Sequence, residues 1–289
     1  MLQNLGLSTS YFAAHGFNIY DSVKRTYDLG FRLIELGANH SWEEEIDETV
    51  KKIRHDFPDA TFTQHCYFPP AFPKEYFANP AYGLNEQNKI VLDQMFKAAE
   101  ILKPKIISFH NGFNNTYEYE GEFLEFKGFK KFKINGIIPD DQAKQNLKEF
   151  IKYALKKGQE QGIKIAVENV VSKTFGTKCT VSGLDGFKDL LDEFPSLNFL
   201  LDYGHGFIEY GNPTQFFSLG EKIIEMHLDD VTPDMKDHRV LGKGILDLEK
   251  MFKGIASISS PLLILEHSAE VTEQEILGEV KLVEKYLGQ

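Results

Sequence analysis

Short apolar runs that close on a His, Glu or Asp recur along this chain, and that recurrence constrains its fold more than any other feature. The runs are IISFH closing on His110, IAVEN on Glu168, FLLDYGH on Asp202 and His205, IIEMH on His227 and LLILE on Glu266. FTQH, ending at His65, and LIEL, which contains Glu35, are weaker instances. A strand with one polar group at its C-terminal tip is the unit from which a parallel α/β barrel builds an active site. Tips from distant parts of the chain then converge on one pocket, and these residue types ligate divalent metals.

Helical periods separate the runs. Ile46, Val50 and Ile53 lie at helical spacing behind Ser41 and Glu44, which read as a capping box. Val91, Met95, Ala98 and Leu102 form a second stripe. Leu147, Phe150, Ile151, Ala154 and Leu155 form a third, opened by Asp140 and Asp141 and followed by Gly158 and Gly162. A last helix is expected from Thr272, with Glu275 completing a capping box and Ile276, Val280, Val283 and Leu287 facing inward. Strands are expected near 4–8, 32–36, 61–67, 105–110, 163–169, 197–202, 223–228 and 262–266. Eight such βα units with no linker-like stretch predict one (β/α)8 TIM barrel, a single domain over residues 1–289. An open doubly wound sheet would carry a glycine-rich phosphate turn after its first strand, and none follows here. Alternation at period two puts Ala166 beneath Glu168, Ser108 beneath His110, Leu200 beneath Asp202 and Ile264 beneath Glu266.

The segment 113–139 is too long for an ordinary βα loop. Tyr117, Tyr119, Phe123, Phe126, Phe129 and Phe132 alternate there with charges, which reads as a long excursion between the fourth strand and the fourth helix of the barrel, folded as a hairpin. Leaving the barrel just after His110, it is a candidate lid or substrate wall.

With 42% hydrophobic and 26% charged residues the composition is that of a soluble globular protein. No apolar run approaches the ~18 residues of a membrane span. The N-terminal MLQNLGLSTS has neither a basic segment nor a cleavable apolar stretch, and Cys66 and Cys179 lack CxxC spacing. A reduced, cytoplasmic protein without structural disulfides is expected. The formal charge of −11 argues against a broad nucleic-acid surface, although bound divalent ions would cancel several carboxylates.

Glu168, Asp202, His227 and Glu266 come from four consecutive strand ends, so a barrel brings them around one point. Oxygen-rich with one imidazole, the set suits manganese, zinc, magnesium or cobalt without choosing among them. VEN at 167–169, LDYGH at 201–205, HLDD at 227–230, LGKGILD at 241–247 and LILEH at 263–267 together resemble the xylose-isomerase-like TIM-barrel superfamily, with support from His65 and His110. That superfamily joins sugar isomerases and epimerases to the endonuclease IV type of abasic-site nuclease (AP endonuclease family 2).

The resemblance to the isomerases and epimerases implies one metal held by Glu168, Asp202, His227 and Glu266. Glu168 and Glu266 would move a proton on a small sugar, polyol or sugar phosphate, and His205 would orient the substrate or add a ligand. The resemblance to the nucleases implies that His65 and His110 share Glu168 with a second metal and that His205 and His238 help to hold a third. One to three ions are therefore expected. That nuclease pattern reads Asp-any-His before its glycine loop, whereas this chain has Lys236-Asp237-His238, so Asp237 either misses the third metal or needs a shifted loop. On balance the sequence favours the isomerase or epimerase with a small carbohydrate substrate; a multi-zinc phosphodiesterase acting on nucleic acid is the alternative.

Bland readings stand beside these. His65 and His110 can equally be neutral hydrogen-bonding groups, His238 a phosphate-binding loop residue, and Glu35 a tie to a neighbouring loop. His15, His40, His55 and His267 fall outside the ligand pattern. Lys173, Lys178 and Lys243 are candidates to meet a substrate phosphate at the barrel mouth. The run from Lys127 to Lys133 either grips a polyanion or forms the solvated face of a hairpin balanced by Glu118, Glu120, Glu122 and Glu125. Oligomeric state is not legible.

Overall fold

The computed structural model describes residues 2–122, 130–172 and 178–288. Eight strands close into a parallel barrel: β1 (Leu5–Ser8), β2 (Leu33–Leu36), β3 (Thr61–His65), β4 (Ile106–His110), β7 (Lys164–Glu168), β8 (Leu197–Asp202), β9 (Ile223–Leu228) and β10 (Leu262–Leu265). Their order around the barrel is β1-β10-β9-β8-β7-β4-β3-β2. These are the apolar runs of the sequence, buried on both faces as parallel strands must be.

The outward faces pack under a ring of helices. These are α1 (Ser10–Ala14), α2 (Ile19–Asp28), α3 (Ile46–Asp56), α4 (Glu86–Leu102), α5 (Asp140–Gln161), α6 (Gly183–Glu193), α7 (Tyr203–Tyr210), α8 (Leu248–Ala256) and α9 (Glu273–Leu287). Inside the barrel, Ile106, Ala166 and Leu200 form a separate buried cluster, the apolar floor that alternation requires beneath the polar tips. Pairing of His110 with Glu168 and of Asp202 with His227 brings the tips level.

Helix ends follow local chemistry. Thr272 caps α9 with a reciprocal capping box to Glu275, as expected. Gly162 ends α5 in the left-handed conformation. The box expected at Ser41 and Glu44 is absent: α3 begins at Ile46 behind Glu45, which makes no side-chain cap. The reason is Glu43, whose carboxylate accepts from the Ile19 amide and the Thr49 hydroxyl, both at 2.9 Å. That tie to α2 holds residues 41–45 out of the helix.

Between β4 and α5 the strands β5 (Asn115–Glu122) and β6 (Lys130–Ile137) pair antiparallel. Buried Asn79 anchors their base, donating to the carbonyls of Phe113 at 2.8 Å and Asn115 at 3.1 Å. Phe123, Glu125, Phe126, Lys127 and Phe129 of the aromatic–charged segment lie outside the described residues, as does Lys173. Among the described residues no helix is long and apolar enough to cross a membrane.

Candidate metal centre

The C-terminal end of the barrel brings His65, His110, Glu168, Asp202, His205, His227, His238 and Glu266 into one connected cluster. Glu168, fully buried, stands at its middle. One carboxylate oxygen, Oε2, lies 3.2 Å from both His65 Nε2 and His110 Nε2. The other, Oε1, lies 3.2 Å from His205 Nδ1 and 3.7 Å from His227 Nδ1. His227 Nδ1 also faces Glu266 Oε2 at 2.8 Å and Asp202 Oδ2 at 3.6 Å.

Outer partners decide which nitrogen each imidazole presents. Glu35 Oε2 sits 2.9 Å from His227 Nε2, and a carboxylate can only accept, so Nε2 carries a proton and Nδ1 is the nitrogen turned toward the other carboxylates. His65 Nδ1 bonds Ser108 Oγ at 2.9 Å, which leaves Nε2 for Glu168. His205 Nδ1 lies 3.2 Å from the Asn169 carbonyl, which frees Nε2 to face Asp237. Glu35 and Ser108 thus support the imidazoles from below. Glu35 is also within ligand range of His65, but its bond to His227 makes it a brace.

The acidic tips are shaped in the same way. Asp202 caps α7, accepting the His205 amide with Oδ1 at 2.6 Å, which explains the three-residue spacing of Asp and His and leaves Oδ2 facing the cluster. Asn169 pins the end of β8 with a reciprocal pair, Nδ2 to the Asp202 carbonyl at 2.8 Å and Oδ1 from its amide at 3.0 Å. The Asn of VEN is therefore a scaffold for the neighbouring ligand.

The donors fall into five overlapping sets; two of them, Glu35 with His65 and His227, and Glu168 with Asp202 and His205, share all their histidines with the other three, which can be drawn as separate groups. His65, His110 and Glu168 form the first, and Asp202, His227 and Glu266, with Glu168 alongside, form the second. The third is His205, Asp237 and His238. Asp237 reaches it despite its displaced position in the sequence, with Oδ2 3.4 Å from His205 Nε2. Adjacent residues on extended backbone point to opposite sides. His238, however, has a left-handed φ of 55°, and Met235 one of 62°, so the loop is turned in the way an Asp directly before its His requires. Cys66 likewise joins the first group, a residue not expected there from the sequence.

The buried atoms Glu168 Oε1 and Oε2, Asp202 Oδ2, His227 Nδ1 and His238 Nδ1 make no hydrogen bond. Burying polar atoms unpaired is expensive, and a cation shared by these atoms would satisfy them. The donor set, imidazole nitrogens with carboxylate oxygens, fits a divalent transition metal.

Charge is balanced within the cluster. Burial alone would push His227 down, but Glu266, Glu35 and Asp202 hold it well above its usual range. Burial likewise works against His65 and His205, yet Cys66 and Glu168 raise the first, and Asp202, Asp237 and Glu168 the second. Burial would raise Glu168, but His65 and His110 keep it well below the ordinary carboxylate range. Beneath lies Glu225, which gave no signal as a polar residue inside a strand; burial, reinforced by Glu35, pushes it up to about 8.

The basic candidates stand apart. Lys178 pairs with Asp140, and Lys243 pairs with Glu275 at 2.6 Å, both on the surface. His15 and His55 are exposed. His40 is buried against Thr9 at 2.9 Å, and His267 lies 2.8 Å from Glu279.

A family model for the xylose isomerase-like TIM barrel matches residues 23–284. The uncharacterized protein MJ1614 of Methanocaldococcus jannaschii is 22% identical over 269 residues, 90% of each chain. Among solved structures, AP endonuclease family 2 from Brucella melitensis aligns with a TM-score of 0.72 at 15% identity, covering 96% of this chain and 98% of that one. The IOLI protein with a binding zinc atom aligns at 0.70 and 15% identity over 99% of both chains. A D-tagatose 3-epimerase-like protein aligns at 0.69 and 15% identity, covering 98% and 97%. At such identities the structural likeness speaks for the fold, and the family match identifies the lineage: the chain belongs to the xylose isomerase-like TIM barrel family.

Proposed function

We propose that this chain is a divalent-metal-dependent phosphodiesterase that works with three ions. The observation that carries the reading is the double use of Glu168, whose Oε2 faces His65 and His110 while its Oε1 faces His205 at 3.2 Å and His227 at 3.7 Å, so that one carboxylate touches all three donor groups. His65, His110 and His205 would be surplus to a one-metal site. Their nitrogens face carboxylates in the way ligands do, which supports the larger set.

The ions would activate water and neutralise the non-bridging and leaving oxygens of a phosphodiester. The protein's own part is to hold the ligands rigidly and to manage the proton. Glu168 would bridge the first and second ions, with His65 and His110 on the first, Asp202, His227 and Glu266 on the second, and His205, Asp237 and His238 on the third. Glu266 is the one carboxylate of the second group open to solvent, so its carboxylate stands where an attacking water would enter the site. Lys178 and Lys243 are already paired with surface acids, so recognition of phosphate falls to the ions.

A second reading keeps specific support. The group of Asp202, His227 and Glu266 beside Glu168 also suits a single metal with two flanking glutamates, the arrangement that proton transfer on a sugar, polyol or sugar phosphate requires. The fold likeness to a D-tagatose 3-epimerase-like protein is compatible with it. Protein reconstituted with zinc or manganese distinguishes the two. Hydrolysis of bis(p-nitrophenyl) phosphate or of an abasic-site duplex, lost in Glu168→Gln, is the expected result. Solvent deuterium entering a ketose without any ester cleavage would overturn it in favour of the isomerase.

A further inference from the structure

We infer that Cys66 is a metal ligand, completing a two-histidine, one-carboxylate, one-thiolate site around the ion held by His65, His110 and Glu168. The inference rests on the reading of that trio as a metal site. One ligand atom from each of His65, Cys66, His110 and Glu168 can be chosen so that all lie within 4.8 Å of one another. Buried Glu168 presents Oε2 to His65 and His110 at 3.2 Å, and that oxygen makes no hydrogen bond.

Ordinary strand geometry would send Cys66 away from the site. His65 is the last residue of β3 and faces the barrel axis, so on continuing extended backbone the next side chain would point to the helices. Instead Cys66 has a φ of 43° and Tyr67 a φ of 67°. Two successive non-glycine residues in the left-handed region cost free energy, and such conformations cluster at functional sites. Here the turn brings the thiol onto the same side as the His65 imidazole. The Cys66 amide donates to the Ser108 carbonyl at 3.2 Å, and Ser108 Oγ bonds His65 Nδ1, so one residue of β4 holds both neighbours in place.

A sulfur donor changes which metal the site selects. Three nitrogen and oxygen donors alone accept manganese, zinc or cobalt, whereas a thiolate with two imidazoles and a carboxylate makes a tetrahedral, softer set that favours zinc and cobalt over manganese and magnesium. The second and third groups carry no sulfur, so the ions would differ in character across one cluster.

The test is the absorption spectrum of the cobalt-substituted protein. A cobalt–thiolate bond gives an intense charge-transfer band in the near ultraviolet that nitrogen and oxygen ligands do not produce. Wild type should show this band as cobalt fills the site, Cys66→Ser should lose it, and Cys179→Ser should keep it, because the Cys179 thiol is directed to the Val170 carbonyl and belongs to none of the donor groups. Full cobalt occupancy in wild type with no charge-transfer band would overturn the assignment of Cys66 while leaving the multi-ion reading intact. A wild type that takes up no cobalt at His65 and His110, with the same stoichiometry in His110→Ala, would overturn both.

Discussion

Replacing Glu35 by Gln tests whether His227 is a ligand braced from outside the site. Both side chains are fully buried, and the bond between His227 Nε2 and Glu35 Oε2 is 2.9 Å. Gln is nearly isosteric and can still accept that proton through its amide oxygen, so packing and orientation persist while the negative charge goes. A charged partner makes the imidazole a better donor to the ion, and losing such partners weakens metal affinity by roughly 10- to 100-fold. At about 1.4 kcal/mol per tenfold, the second ion should lose about 1.4–2.8 kcal/mol of binding free energy. The assay is competition for zinc against a chromophoric chelator, one ion resolved from the others by its changed affinity. Metal-free Glu35→Gln should meanwhile stay close to wild-type thermal stability, because the support lost to His227 is offset by relief of the repulsion that helps push Glu225 up to about 8. Unchanged zinc affinity at every site would refute the reasoning. So would a large loss of stability in the metal-free variant, which would make Glu35 a structural group.

The cluster also sets a pH dependence that metal should erase. The folded protein holds His65, His205 and His227 above their unfolded values near 6.5, so their stabilising contribution is complete below about pH 6.5 and lost as pH rises through the raised values. Metal-free protein should therefore melt at progressively lower temperature above that pH in a calorimetric scan, and zinc-loaded protein should not; equal slopes would contradict this. Glu168→Gln should lose ions from the first and second groups together, because both draw on that carboxylate, and elemental analysis should find at least two fewer ions than in wild type. Gly244→Ala would put a Cβ 2.2 Å from Asp230 Oδ1 and 2.3 Å from the Val231 carbonyl. Asp230 accepts the amides of Gly242, Gly244 and Leu246, so we expect a cost of about 1–3 kcal/mol in urea unfolding, together with weaker binding at His238. A wild-type transition would show that the loop yields freely.

The barrel was legible in the sequence because parallel strands buried on both faces leave runs of aliphatic residues, and a polar residue at the end of such a run stands out. Glu168, Asp202, His227 and Glu266 were found that way, and the structure brings them together. Cys66 and Asp237 were not, for one shared reason. Each sits at or beside a non-glycine residue with positive φ, which reverses the side that alternation assigns, and nothing in composition announces such a turn. Glu35 and Glu225 escaped a firm role because their partners come from distant strands, His227 being 192 residues from Glu35. The false start of α3 at Ser41 has a similar origin, since the contact that overrides the local cap signal is a long-range one from Glu43 to Ile19.

The most direct test of the three-ion account is a count of metal. Protein stripped with chelator, reloaded with zinc and freed of excess should be analysed for zinc and for sulfur in the same sample. The three donor groups predict three zinc ions per chain, falling to two in the His65→Ala, His110→Ala double variant. One zinc per chain in wild type, unchanged by removing both histidines, would contradict the account and leave a single-metal barrel suited to moving a proton on a sugar.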